Sequence, residues 1–195
     1  NGDSEFQELK WFRKEDQNHI KDLKSKKMFD FDLVFDENAP NKTVFQHVFP
    51  NDFSFIFESR KFAILMYGQT ASGKTHTMKG KDPLDGTTAL KSSKDMRIEE
   101  ELEGIVQLTL RKVLRTLETS KGTKYNLKLS YLELYNEEIH DLLEANSNAD
   151  KRRLRIFKGD NGHTVVEGLN RPNFSTLEEA LAIFERGEKN RKFAY

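Results

Sequence analysis

Residues 67–78 read YGQTASGKTHTM and follow directly on an apolar run, Phe62-Ala63-Ile64-Leu65-Met66. That junction limits the fold more than any other stretch. Gly68-x-x-x-x-Gly73-Lys74-Thr75 has the spacing of the phosphate-binding loop found in a large group of nucleotide hydrolases. The spacing has a mechanical reason. Two glycines let the backbone curl tightly, so that successive N–H groups point inward at phosphate oxygens. A helix that begins at the loop adds its positive N-terminal end. Lys74 can then reach the β- and γ-phosphates, and the Thr75 hydroxyl can ligate Mg²⁺. A plain strand–turn–helix connection could also contain glycines. However, the four fixed positions match by chance in roughly one chain of this length in a hundred. The apolar run before the loop is the context that the motif requires, so the reading is nucleotide binding.

The chain has 195 residues, enough for one domain with a real core. Charged residues make up 33% and hydrophobic ones 36%, which describes a highly charged surface around a modest core. Lys and Arg number 32, as do Asp and Glu, so no global field favours nucleic acid or an anionic membrane. A charged partner has to be met by a local patch. The absence of cysteine removes disulfides, thiolate metal sites and a cysteine nucleophile together, and fits the cytosol. The opening residues, NGDSEFQELKWFRKEDQNH, have no apolar core of signal-peptide type, and no stretch approaches the length of a membrane span.

Residues 1–27 are polar and charge-mixed, and read as a loose helix or an ill-ordered arm. FDFDLVF (29–35) reads as a strand, and the Asn38-Ala39-Pro40-Asn41 turn follows. Residues 43–58 have a helix-like period broken near Pro50. The 62–67 strand leads into the loop and a helix from near Lys74. Residues 79–100 read as an exposed insertion, and 101–118 return to a helical period. YNLKLSYLELY (125–135) reads as a strand and NEEIHDLL (136–143) as a short helix. Arg153–Phe157 and His163–Glu167 flank Gly159-Asp160-Asn161-Gly162, a hairpin signal. A last helix starts near Thr176, with Ser175 as N-cap and Glu178 completing a capping box. Strands alternating with helices around a phosphate loop imply an α/β fold: a central, mostly parallel or mixed sheet flanked by helices.

Gly68 to Met78 fits G-Q-T-x-S-G-K-T-x-T-M, which resembles the signature of kinesin motor domains. Three further stretches agree in order. FDLVFD (31–36) is similar to the strand before that family's first helix, and SYLELYNEEIHDLL (130–143) to its strand-and-helix hallmark. VVEGL (165–169) and STLEEALAIFERGEKNRKFA (175–194) resemble the stretch leading to its first switch. The departures are as specific. Residues 1–30 contain no R-x-R-P motif of the kind that holds the adenine: Arg13 is alone and the first proline is Pro40. The two switches, N-x-x-S-S-R-S-H and D-L-A-G-S-E, do not occur in this sequence. Ser59-Arg60-Lys61 stands where relatives often have Gly-Tyr-Asn, and Gln107 where they tend to have proline. The resemblance implies a polar arm over 1–28 and a partial motor domain over 29–195, ending before the switches.

The resemblance also implies roles. Gly68, Gln69, Thr70, Ala71, Ser72, Gly73, Lys74 and Thr75 would hold the phosphates of ATP, with Thr75 on Mg²⁺ and His76 beside the adenine. Asn190 and Arg191 match an Asn-Arg pair near the first switch; as plain residues they are a polar helix end. Asp36 ends its strand and reads as a strand-end residue. Glu137 and Glu138 read as surface charges pointing apart. The Lys151-Arg152-Arg153-x-Arg155 cluster has two readings, edge protection by solvated charge or a minor contact to tubulin. The functions in view are a microtubule motor ATPase of the cytoplasm and cytoskeleton, a nucleotide-binding module without motor activity, and an unrelated phosphate-loop kinase or GTPase. Residues 130–143 and 165–194 argue against the last. Residues 1–195 by themselves are expected not to turn over ATP, because the family places its γ-phosphate sensors on the switches.

Overall fold

Short aspartate-capped turns build the first part of the chain. In the computed structural model, which describes residues 12–51, 53–58, 61–80, 103–120, 124–144, 154–159 and 162–191, Asp16 Oδ1 accepts the Asn18 and His19 N–H groups at 2.8 and 2.9 Å. This Asx turn joins β1 (Phe12–Lys14) to β2 (His19–Asp22). Those N–H bonds, with the His19 ring, hold the Asp16 carboxyl below its usual range. Asp22 repeats the device, accepting from Lys24 N at 2.8 Å and Ser25 Oγ at 2.5 Å, with Lys26 left-handed at φ 61°, and leads into β3 (Met28–Asp30). The three strands form an antiparallel meander in the order β1-β2-β3. A helix or ill-ordered arm is therefore not what residues 12–27 adopt; residues 1–11 lie outside the described residues.

The strand expected over 29–35 stops at Asp30 for a specific reason. Phe31 N and Val34 N donate to Asn18 O and Gln17 O, and Asn18 Nδ2 donates to Phe31 O and Asp32 O. The chain is thus held by the β1–β2 turn instead of continuing a ladder. Helix α1 (Asn41–Val48) starts after Pro40, which is pre-set for a helix entry, and buries Phe49 at its end against the stacked Phe45 ring at 4.2 Å. The chain divides into two compact units: one holds residues 1–51 and 66–105, the other 52–65 and 106–195.

The second unit opens with a 3₁₀ turn, Ser54–Glu58. The strand expected over 62–67 does not form: these residues have no regular secondary structure, and Leu65 is 87% exposed. Helix α3 (Ile105–Thr119) buries Leu114 and Leu117, which share one stripe with the partly buried Leu110, and also buries Leu108. Leu114 joins Phe174 and Ala180 in a core that Leu110, Leu127, Leu129, Leu177 and Ile183 surround. Strand β4 (Leu127–Lys128) pairs antiparallel with β9 (Asn173–Phe174).

The helix expected over 136–143 is a hairpin. β5 (Leu132–Tyr135) pairs antiparallel with β6 (Glu138–Asp141) through a two-residue loop, Asn136-Glu137, with φ 49° and 63°. Two consecutive left-handed residues make a type I′ turn, whose twist matches the strands it joins. Glu137 therefore stands in the turn and Glu138 on β6, both exposed. The second hairpin is as expected: β7 (Arg155–Lys158) pairs with β8 (Thr164–Glu167), though Asp160 and Asn161 lie outside the described residues. Helix α4 (Leu177–Asn190) begins one residue later than the reading from sequence. Thr176 is its N-cap, its Oγ1 accepting Glu179 N at 3.2 Å while Glu179 Oε2 accepts the Thr176 N–H. Both S-T-L-E and T-L-E-E fit the capping-box pattern; burial of Ala180, Phe184 and Gly187 on one stripe selects the second.

The architecture is α/β, with every described strand pair antiparallel. Among the described residues no helix is long and apolar enough to cross a membrane.

Candidate functional site

The loop from Gly68 to Gly73 closes on itself before a helix begins. Ser72 N donates to Gln69 O at 3.2 Å, and Ala71 sits left-handed at φ 64°. Gly73, at φ 87° and ψ 6°, is the N-cap of α2 (Lys74–Lys79), where a left-handed backbone suits a residue without Cβ. A Cβ there would meet nothing within 4 Å, so the glycine answers to the backbone and not to crowding. Helix α2 then runs with Thr77 N donating to Gly73 O at 2.9 Å and Gly80 N closing the last turn on His76 O at 2.8 Å.

Lys74 is half-buried, and its ammonium turns back over the loop. Nζ donates to Gly68 O at 2.7 Å and to Gln69 O at 2.5 Å. The loop is therefore curled tightly enough for one cation to span its first two carbonyls. Thr75 and His76 follow on the first turn of α2, both exposed. The nine residues from Gly68 to His76 thus form one continuous feature. Its donor set suits a phosphate chain with a hard cation: backbone N–H groups, the Lys74 ammonium and the hydroxyls of Thr70, Ser72 and Thr75, with open space over Gly73. Among the described residues no group of three or more His, Asp or Glu side chains could hold a metal.

The remaining candidates fall elsewhere. Arg155 is exposed on β7, and Lys151, Arg152 and Arg153 lie outside the described residues. Asp36 accepts Asn38 N at 2.9 Å in a local turn. Asn190 donates from Nδ2 to Leu142 O at 2.8 Å, and Arg191 caps α4 with its guanidinium 3.9 Å from Glu188. Sequence reasoning missed Tyr131. Its ring stacks on Phe184 at 5.4 Å and its hydroxyl donates to Glu188 Oε1. Burial first, then the hydrogen bond and charge of Glu188, push the Tyr131 phenol above its ordinary range. Asn41 was also missed; a polar residue at a helix start gives no hint of its burial.

The kinesin motor domain family matches residues 3–195. Kinesin-like protein KIP1 of Saccharomyces cerevisiae is 33% identical over 178 residues, covering 87% of this chain and 16% of that protein. Kinesin-like protein KIF18B of Homo sapiens is 34% identical over 194 residues, covering 97% of this chain and 19% of that protein. A solved structure described as a fast kinesin superposes with a TM-score of 0.75 at 21% identity, covering 92% of this chain and 47% of its own. The fold and the loop define a phosphate-loop protein, and the chain belongs to the kinesin motor domain family. It spans less than a fifth of the length of these curated relatives.

Proposed function

We propose that the protein is a kinesin motor ATPase, binding ATP with Mg²⁺ through Gly68 to Thr75 and coupling its hydrolysis to movement on microtubules. The observation that carries this is the closed loop itself. A six-residue turn from Gly68 to Gly73 ends in a left-handed cap and places Lys74 Nζ over its own carbonyls, in a chain of the kinesin family. In this reading the loop N–H groups take the phosphate oxygens, Lys74 neutralises charge near the β- and γ-phosphates, and Thr75 ligates Mg²⁺. His76, exposed one residue on, would in the same reading stand beside the adenine. The structural neighbour's description concerns ATPase mechanism and interactions with microtubules. Extending both to this chain gives the substrate and the partner, and places the protein on the cytoskeleton in the cytoplasm. The exposed β7–β8 hairpin with Arg155 would supply a minor contact to tubulin.

Titrating a fluorescent ATP analogue in the presence of Mg²⁺ tests the loop. Lys74→Ala is expected to weaken binding at least about tenfold, since one charge-assisted contact to a phosphate contributes about 1.5–3 kcal/mol. Equal affinities for wild type and variant would overturn the assignment.

A further inference from the structure

Asn41, the first residue of α1, is only 8% exposed, and its carboxamide bonds outside its own helix. Nδ2 donates to His76 O at 3.0 Å and to Glu103 O at 3.3 Å. One buried side chain thus ties together the backbone of two separate segments. His76 is the third residue of α2, directly after Lys74 and Thr75. The segment at 103–104 presses on the same helix independently of Asn41. Gly80 and Glu103 form an antiparallel bridge, and a Cβ on Gly104 would come within 2.3 Å of Gly80 N and 2.4 Å of Met78 O. The backbones are in such close approach that only glycine fits.

We propose that Asn41 is a positioning residue for the phosphate-binding loop. By joining the His76 carbonyl to that of Glu103 it sets the axis of α2, and with it the place of the Lys74 and Thr75 side chains. This rests on reading Gly68 to Thr75 as a site for Mg²⁺ and a triphosphate. The chemistry selects asparagine. A carboxamide nitrogen offers two hydrogens and no charge, so it satisfies two carbonyls at once. Serine offers one hydrogen. Aspartate offers none, and would set a buried negative charge against two carbonyl oxygens. Helix α2 has six residues, so a tie at its third residue leaves little of it free to tilt.

The test uses the protein at its natural length and compares Asn41→Ser and Asn41→Asp with wild type. Lys74→Ala and Tyr131→Phe serve as controls, the latter lowering stability in the other compact unit. Affinities for fluorescent ATP and ADP analogues with Mg²⁺ are measured alongside melting temperatures, at a temperature where each variant is folded. Asn41→Ser is expected to weaken the triphosphate about tenfold, the effect of one lost buried hydrogen bond, and the diphosphate less. Asn41→Asp is expected to weaken it further. Tyr131→Phe should melt earlier yet bind within about twofold of wild type, because its hydrogen bond to Glu188 involves no residue of the loop. Triphosphate binding by Asn41→Ser within about twofold of wild type would overturn the proposal, as would equal losses for the two nucleotides. If Asn41→Asp does not fold, Asn41→Ser decides alone. Should Lys74→Ala also bind normally, the phosphate-loop reading falls; should it alone lose binding, only the role of Asn41 falls.

Discussion

Gly73 shows how a single backbone angle separates necessity from habit. At φ 87° with open space around it, the residue is glycine because an L side chain is strained there, by about 1–2 kcal/mol. Gly73→Ala should therefore lower stability by about that amount without any clash, read as a fall in melting temperature. An unchanged melting temperature would mean that the turn adapts freely. Ala71 carries a similar angle, φ 64°, with a side chain in place, so the loop already holds one strained residue. Lys74 supplies the counterweight. Its two bonds to Gly68 O and Gln69 O stitch the turn shut, and a phosphate has to compete with those carbonyls for the same ammonium.

At the scale of elements, the hairpin over β5 and β6 and the end of α4 make separate predictions. Both residues of the Asn136-Glu137 turn are left-handed, and the second carries a full side chain. Glu137→Gly gives the Asn-Gly pair that type I′ turns favour, and is expected to raise stability by about 1 kcal/mol in thermal denaturation. A loss instead would mean that the Glu137 side chain contributes more than its strain. Tyr131, itself partly buried, bonds Glu188 in the last turn of α4, so Tyr131→Phe should cost about 1 kcal/mol near neutral pH. The phenol titrates higher in the folded state, which prefers it neutral. Its contribution is therefore complete below about pH 10, the unfolded value, and is lost as pH rises beyond that. Urea melts of wild type and Tyr131→Phe should converge above that pH; a constant gap would contradict the assignment.

The same elements show what was legible in the sequence. The loop, α1, α3 and the β7–β8 hairpin were readable because glycine spacing, helical period and turn chemistry are local. The β5–β6 hairpin was not, because L-E-L-Y-N-E-E-I-H-D carries its alternation across a turn without glycine, and E-E-I-H-D-L-L also fits a helix turn. The pairing of β4 with β9 and the burial of Asn41 depend on residues far along the chain, which no local pattern encodes.

For the molecule as a whole, balanced charge means that any binding to an acidic partner depends on where basic residues gather. If the β7–β8 hairpin touches tubulin, reversing Arg152, Arg153 and Arg155 to Glu should weaken microtubule co-sedimentation, more at low salt than at high. Unchanged sedimentation at low ionic strength would leave the cluster as edge protection. The strand pairings also set an order in time. The meander and both hairpins join chain neighbours and can zip within about 1–10 μs of leaving the ribosome. Strand β4 cannot, because its partner Phe174 is synthesised long after Leu127. At about 5–20 residues per second the interval is roughly 2–10 s, during which the Leu114 stripe of α3 has neither Phe174 nor Ala180 to cover it. Synthesis therefore passes through a sticky interval that ends only when α4 emerges, and a chaperone that shields helix α3 has its opportunity there.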